Sequence, residues 1–351
     1  MTHPPQTTRR FGFTLIEILV VIAIIAILAG ILLAALGSVQ EAAKKTQTNS
    51  LMQSFARSCD EYSMEYDGFP GLLPESVLGQ TGILYSQMTP TQNTLLELMG
   101  GARVMNSNST PTVENEYDNF GGIEYLTDDG VTDPVTGVTW WLKFNETRFG
   151  EGPWIRGLIH APFFSPKSKD MLYTPLDPNN ASSYALPTIV DSWNTPIIFL
   201  RALRDSGPII DDPSNNNNPQ FELPNLDPYS EDPLNNNASL LSIDSATGQT
   251  VEDQLAWLTL LLAHPTFWED PGDGSSFSNG TAWGAVRGRF VLISAGPDTI
   301  YLEAANNELH DEGIVDPTNL FGNFLGGGPT GGAITPKMME SFDDVIVYGG
   351  A

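Results

Sequence analysis

One cysteine, Cys59, and four histidines are all this chain offers of the residues that most often bind zinc or attack a substrate. A lone cysteine excludes an intrachain disulfide and a cysteine-built zinc cluster. Basic residues are scarce too. Lys and Arg number 16 against 42 Asp and Glu, and the formal net charge is −26. Bulk affinity for nucleic acid or an anionic lipid surface needs the opposite balance, because it comes from displaced counterions. Divalent cations suit this charge better. No G-x-S-x-G, H-E-x-x-H, P-loop or dinucleotide-binding glycine fingerprint occurs. His160, His264 and His310 are scattered. Acids are numerous enough to include a glycosidase-like pair, but abundance alone argues nothing. The chain reads as a non-enzyme. What is plentiful is glycine, 33 residues, and proline, 26 residues, in a chain of 351 with 41% apolar residues. A core is affordable, and the body around it is rich in loops.

The N-terminus is the informative part. Residues 1–12 are polar and basic, ending Arg9-Arg10-Phe11-Gly12. The 24 residues from Phe13 to Leu36 carry one charge, Glu17, and no proline. As a helix that run is roughly 36 Å long at about 1.5 Å per residue, more than the ~30 Å hydrocarbon core of a bilayer. The basic residues come first, so the N-terminus is expected to stay cytoplasmic and the body to be exported. A cleaved secretory signal, a twin-arginine signal or a plain signal anchor would leave Glu17 without a purpose. A carboxylate in the bilayer costs about 2.5–3.5 kcal/mol even on permissive scales. A cut after Gly12 gives Phe13 an α-ammonium. Glu17 on a neighbouring copy then has a partner, which makes it a registry device between subunits.

Gly12-Phe13-Thr14-Leu15-Ile16-Glu17 behind a short basic leader resembles the class III signal of type IV pilins and type II secretion pseudopilins. The resemblance implies that a membrane prepilin peptidase cuts between Gly12 and Phe13 and methylates the new N-terminal phenylalanine. It also implies that Glu17 is the assembly glutamate. Many family members carry a proline where this chain has Ala34, so no proline break is expected there, although Gly30 and Gly37 loosen a helix.

The apolar run continues as an amphipathic helix. Leu51, Phe55, Cys59, Tyr62 and Tyr66 recur every three or four residues. Asp67-Gly68-Phe69-Pro70 reads as its stop, with Gly68 just past the last turn. The expected organisation is a leader, 1–12, a transmembrane and assembly half-helix, 13–36, an amphipathic half, 37–66, and a periplasmic or extracellular head, 67–351. Within the head, 94–99 reads as a short helix, 140–144 as a strand, and 251–263 as a helix with Leu255, Leu258 and Leu262 inward. Seven tryptophans, Trp140, Trp141, Trp154, Trp193, Trp257, Trp268 and Trp283, suit core packing, the commoner use, or a carbohydrate-stacking surface.

Three further blocks bear on the resemblance. Asp191-Ser192-Trp193-Asn194-Thr195-Pro196 is similar to a turn of the G-type major pseudopilin, with Ser192 and Asn194 in place of proline and glycine. Asn tolerates the left-handed backbone that glycine would supply. Ser294-Ala295-Gly296-Pro297-Asp298 resembles the family's Ser-x-Gly-Pro-Asp segment. Asp343-Asp344-Val345-Ile346 resembles the end of its calcium loop. The resemblance therefore implies calcium on Asp298, Asp343 and Asp344, with carbonyls near Ser294, although 44 residues separate Asp298 from Asp343. Residues 71–187 and 205–282 exceed a typical head and read as insertions.

The fold expected is α+β: a long N-terminal transmembrane helix, continuing as a spine packed on an antiparallel sheet, pilin-like, with large loop insertions. The function expected is that of a filament subunit in an inner membrane, most similar to the major pseudopilin of type II secretion. A type IV pilin, major or minor, with or without an adhesive head, is the alternative. Partners implied are further copies, other pilins or pseudopilins, prepilin peptidase, an inner-membrane assembly platform and membrane lipid before assembly, and no nucleic acid.

Overall fold

The computed structural model describes residues 15–78, 88–124, 130–155, 157–175, 185–211, 218–222, 241, 255, 258–259, 261–264, 285–302 and 344–350. Gly12, Phe13 and Asp343 lie outside the described residues, as do most of 205–282 and the glycine-rich stretch near 326–332. The chain divides into two compact units, Met1–Thr46 and Gln47–Ala351.

α1 (Leu15–Tyr66) is a 52-residue helix. It runs through Gly30 and Gly37 without interruption, as the lack of proline leads one to expect. In the second unit its predicted stripe is the buried face. Phe55, Cys59 and Tyr62 are buried with Met52 and Ala56 between them, and Leu51 and Tyr66 pack against the same cluster. Burial pushes the Cys59 thiol well above its ordinary range, so it acts as a small hydrophobe. The helix ends at Tyr66. Asp67, not Gly68, takes the left-handed backbone at φ +59°, and its N–H still donates to Ser63 O at 2.9 Å. A short polar side chain tolerates that region well enough to replace glycine.

After α1 come a single turn, α2 (Glu75–Leu78), then α3 (Pro90–Met99), β1 (Ala102–Asn106) and α4 (Pro111–Asn119). β2 (Ile123–Glu124), β3 (Val131–Thr132) and β4 (Thr139–Phe144) complete a four-stranded antiparallel sheet. β4 is its centre, with β1 along one edge and β2 and β3 sharing the other. Two antiparallel pairs follow, β5 (Trp154–Ile155) with β6 (Leu158–Ile159), and β7 (Met171–Pro175) with β8 (Ala185–Ile189). β9 (Ile198–Arg201) precedes β10 (Ile210–Asp211) and β11 (Phe221–Glu222), which pair in parallel. β12 (Phe290–Ser294) and β13 (Val345–Gly349) then flank each other, and β9 takes the other side of β12, all antiparallel. Leu255, Leu258 and Leu262 are helical and buried, as their spacing predicts.

Two cores result. In one, the α1 stripe meets Leu95, Leu98 and Met99 of α3 and the inner face of the β9–β12–β13 sheet, Phe199, Phe290, Leu292, Val345 and Val347. In the other, Leu96 of α3 joins Leu73, Val77 and Leu78 to Ala102, Leu142 and Phe144 of the four-stranded sheet. The stretch 71–187 is therefore not merely inserted loop: its described parts build a sheet with a core of its own.

α3 lies between the two cores, and this explains its sequence. A helix covered all round must also bury its polar residues, and each needs a partner. Asn93 exchanges two hydrogen bonds of 2.9 Å with the backbone of Leu73. Thr91 Oγ1 donates to Ile197 O at 2.6 Å, and Thr94 Oγ1 to Pro70 O at 3.1 Å. The helix starts five residues before its apolar pattern does. Thr89 and Gln92 form a reciprocal capping box around Pro90, a signal present in the sequence and overlooked by a purely apolar reading. It ends at Gly100, φ +83°, where an added Cβ would run into the Gly152 backbone bridged to it.

Candidate functional site

Two regions bear the residues singled out in the sequence. The first is the start of α1. Glu17 stands in the first described turn of α1. Around it the surface is apolar on every side. Leu15 is 83% exposed and Leu28 61%, and Ile16, Ile18, Leu19, Val20, Val21, Ile22, Ile24, Ile25 and Ile27 are exposed as well. A helix that is apolar all round does not stand in water alone; it is covered by lipid or by protein. Among the described residues, no helix is long and apolar enough to cross a membrane. The side chains described within this run stop at Gly30 and resume at Leu36, so they sample only part of the 24-residue sequence pattern.

The second region is the corner after β12. The two strands that carry the candidate metal ligands lie side by side, Ser294 opposite Val345. Beyond Ser294 the chain makes a short 3-10 turn, Gly296–Asp298, and leaves it through Thr299 in the left-handed region, φ +67°. Asp298 Oδ1 accepts from Ile300 N at 2.9 Å, and Asp344 Oδ1 accepts from Leu302 N at 3.0 Å. Two acids 46 positions apart in the sequence thus hold the same three-residue loop, and Tyr301 between them is buried with its hydroxyl donating to Pro196 O. Asp344 is itself buried. Among the described residues, no group of three or more His, Cys, Asp or Glu gathers to hold a metal ion. Asp343, the third expected ligand, lies outside them. Two carboxylates on one loop are the hard oxygen donors calcium prefers, and carbonyl oxygens and water complete such sites.

The turn at 191–196 joins this corner. Asn194 takes φ +70°, the left-handed conformation expected of it. Asp191 Oδ1 accepts from Trp193 N and Thr195 N, both at 2.9 Å. Its other oxygen accepts from Ser294 Oγ at 2.7 Å, in a buried contact. Nothing in the sequence pairs Asp191 with Ser294; no local period spans 103 positions.

Residues 7–33 match the family of the prokaryotic N-terminal methylation motif. The chain therefore carries a type IV pilin-type prepilin signal, the mark of a membrane-anchored prepilin-peptidase substrate. No curated protein and no solved structure matches the chain.

Proposed function

We propose that this chain is a structural subunit of a helical filament, the pseudopilus of a type II secretion system, with no catalytic role. On this reading it is made with a leader, 1–12, held in the inner membrane by its apolar helix with the N-terminus cytoplasmic, and cut between Gly12 and Phe13. The new Phe13 is methylated. An assembly platform then draws subunits into a filament through the helix, with Glu17 of one copy paired to the α-ammonium of the next. The observation that carries the reading is the methylation motif, continuous with a helix whose apolar surface is exposed all round except for one carboxylate. An α+β body with an antiparallel sheet packed on the second half of that helix supports it further.

Processing gives the direct test. The mature protein is expected to begin at N-methylphenylalanine 13, read by intact mass and by the N-terminal peptide. A mature start near Ser38 would instead mean an ordinary secretory signal and end the filament reading.

A second reading is a type IV pilus subunit with an adhesive head. The size of the body favours it, since a second sheet with its own core is more than filament packing requires. Labelling intact cells with a membrane-impermeant reagent separates the two: a pilus head is labelled, a periplasmic one is not.

On either reading, Asp298, Asp343 and Asp344 are proposed to hold calcium. Carboxylates gathered around one ion would repel each other without it, and a divalent ion relieves that repulsion. An ion bound only by the folded form stabilises it by mass action, about 2.7 kcal/mol at ~100-fold excess over Kd. The full-length chain in detergent is expected to melt higher in calcium than in chelator. Asp298→Ala and Asp343→Ala should each erase the difference. A wild type that melts alike in both, or variants that keep the shift, would make these residues turn formers only.

A further inference from the structure

We propose that a cavity beside β1 binds a small organic cation, a primary ammonium group on an apolar body, independently of the filament-forming helix. The cavity measures about 530 Å3, within the ~300–1,000 Å3 range of small-molecule sites. Five elements wall it: α3 with Glu97, β1 with Arg103, α4 with Glu116, β4 with Trp140 and β5 with Trp154.

What the wall offers a ligand depends on which of its atoms stay accessible. Trp140 Nε1, Trp154 Nε1 and Arg103 Nη1 are buried, out of a ligand's reach. Both tryptophans are half-buried, so the surface their side chains present is ring carbon. Arg103 is 6% exposed; its guanidinium lies 3.7 Å from the centre of the Trp154 ring and its Nη2 donates to Glu116. Its positive charge is thus held inside the wall. The carboxylates are the more open groups. The Glu116 side chain is 26% exposed. Glu97 is half-buried, and one of its oxygens accepts from the Tyr62 hydroxyl at 2.6 Å. Its other oxygen has no hydrogen-bond partner among the described residues and is not closed off as the indole nitrogens are.

The cavity therefore shows a ligand negative charge and carbon. An anion would meet two carboxylates against one withdrawn guanidinium, on a chain of net charge −26. Burial pushes the Glu97 carboxyl up, and the Tyr62 hydroxyl and the Arg201 charge pull it only part of the way back. Arg201 is itself paired with Glu75, so a cation from outside would still favour the ionised Glu97. A metal ion does not fit, because among the described residues no three acids gather, and one atom would leave most of the space empty. An ammonium N–H donates to the free Glu97 oxygen, a charge-assisted bond about twice as strong as a neutral hydroxyl would make. Its apolar body packs on Leu72, Leu96, Val104 and Val113, and an indole face attracts a cation as it does no anion.

The test is fluorine NMR of the full-length chain labelled with 5-fluorotryptophan, in an uncharged detergent and about 150 mM salt, which screens exposed charge. The probes are n-butylammonium, its neutral counterpart 1-butanol and its anionic counterpart butyrate. Butylammonium is expected to shift the Trp140 or Trp154 resonance saturably, in the millimolar range or tighter. Butanol and butyrate are expected to bind at least tenfold more weakly. Glu97→Gln, at unchanged melting temperature, should weaken butylammonium at least tenfold and leave butanol as it was. Glu61→Gln removes an exposed acid outside the cavity wall and should change neither. Should Glu97→Gln fail to fold, the three probes on the unmutated chain still decide, since they differ in charge and little in shape. The proposal is overturned if butylammonium does not saturate, if butanol or butyrate binds as tightly, or if only other tryptophan resonances move. It is equally overturned if a folded Glu97→Gln binds like wild type, or if Glu61→Gln weakens binding as much, which would mean diffuse attraction to an acidic surface.

Discussion

Glu17→Ala is expected to abolish filaments while leaving membrane insertion intact. The two effects have one physical origin. A carboxylate within the apolar run costs about 2.5–3.5 kcal/mol on insertion, so removing it leaves insertion as good or better. On the filament reading proposed above, the same carboxylate faces the α-ammonium that cleavage would create on Phe13 of a neighbour. Deleting one member of a buried ion pair strands the other, at about 3–5 kcal/mol. At roughly 1.4 kcal/mol per tenfold, that is about two to three and a half powers of ten in each subunit's association. Sheared-filament yield and the membrane-fraction level of the variant, measured together, check the prediction. Glu17→Gln separates charge from shape, since it keeps the length of the side chain and loses the pairing. Wild-type filament yield from either variant would remove the registry argument, while loss of the protein from the membrane would mean that Glu17 serves insertion instead.

The second large effect lies in the body. Arg201→Met is expected to lower its melting temperature by roughly 10 °C or more. Arg201, at the end of β9, is 8% exposed, and Glu75 of α2 is 3% exposed. The guanidinium Nε donates to Glu75 Oε1 at 2.5 Å and Nη2 to Oε2 at 3.1 Å, a bidentate pair. Its remaining N–H groups reach the carbonyls of Phe69 at 2.9 Å and Leu73 at 3.1 Å. Burial alone works against the charged guanidinium, but the Glu75 carboxylate outweighs it, and Arg201 stays raised above its ordinary value. One side chain thus ties the segment after α1 to the three-stranded sheet. Methionine would fill much of the volume but leave Glu75 buried and two carbonyls unmet, about 3–5 kcal/mol. At ~2–4 °C per kcal/mol for a body of this size, the shift is large. Circular dichroism melts of the full-length chain in detergent read it. The double variant Glu75→Leu/Arg201→Met is expected to recover part of the loss, because an apolar pair leaves no stranded charge. A single variant melting within 2 °C of wild type would mean that water reaches Glu75 and the pair is not structural.

Burial also raises the Glu97 carboxyl, and the 2.6 Å hydrogen bond from Tyr62 pulls it part of the way back. This contact joins α1 to α3.

The parts legible in the sequence are those carried by local chemistry. Residues 7–33 match a motif recognised by order and spacing alone, and Gly12, Phe13 and Glu17 fall within that span. The buried stripe of α1 follows from a period of three to four, and β4, β9, β12 and β13 from short apolar runs between turn residues. Asn194 was legible for the same reason: a turn needs a left-handed residue, and few side chains tolerate it. Where two neighbours both qualified, as with Asp67 and Gly68, local chemistry did not choose between them.

Only the tertiary structure decided what lies beside what. Arg201 and Glu75 are 126 positions apart, Asp191 and Ser294 are 103, and no periodicity links them. Asp298 and Asp344 meet on one loop because β12 and β13 pair in a register that the intervening chain does not announce. Residues 71–187 read as an insertion with one helix and one strand, because the other strands are short and their apolar positions irregular. They form a sheet because α3, with apolar side chains on both sides, gives that sheet a surface on which to bury them.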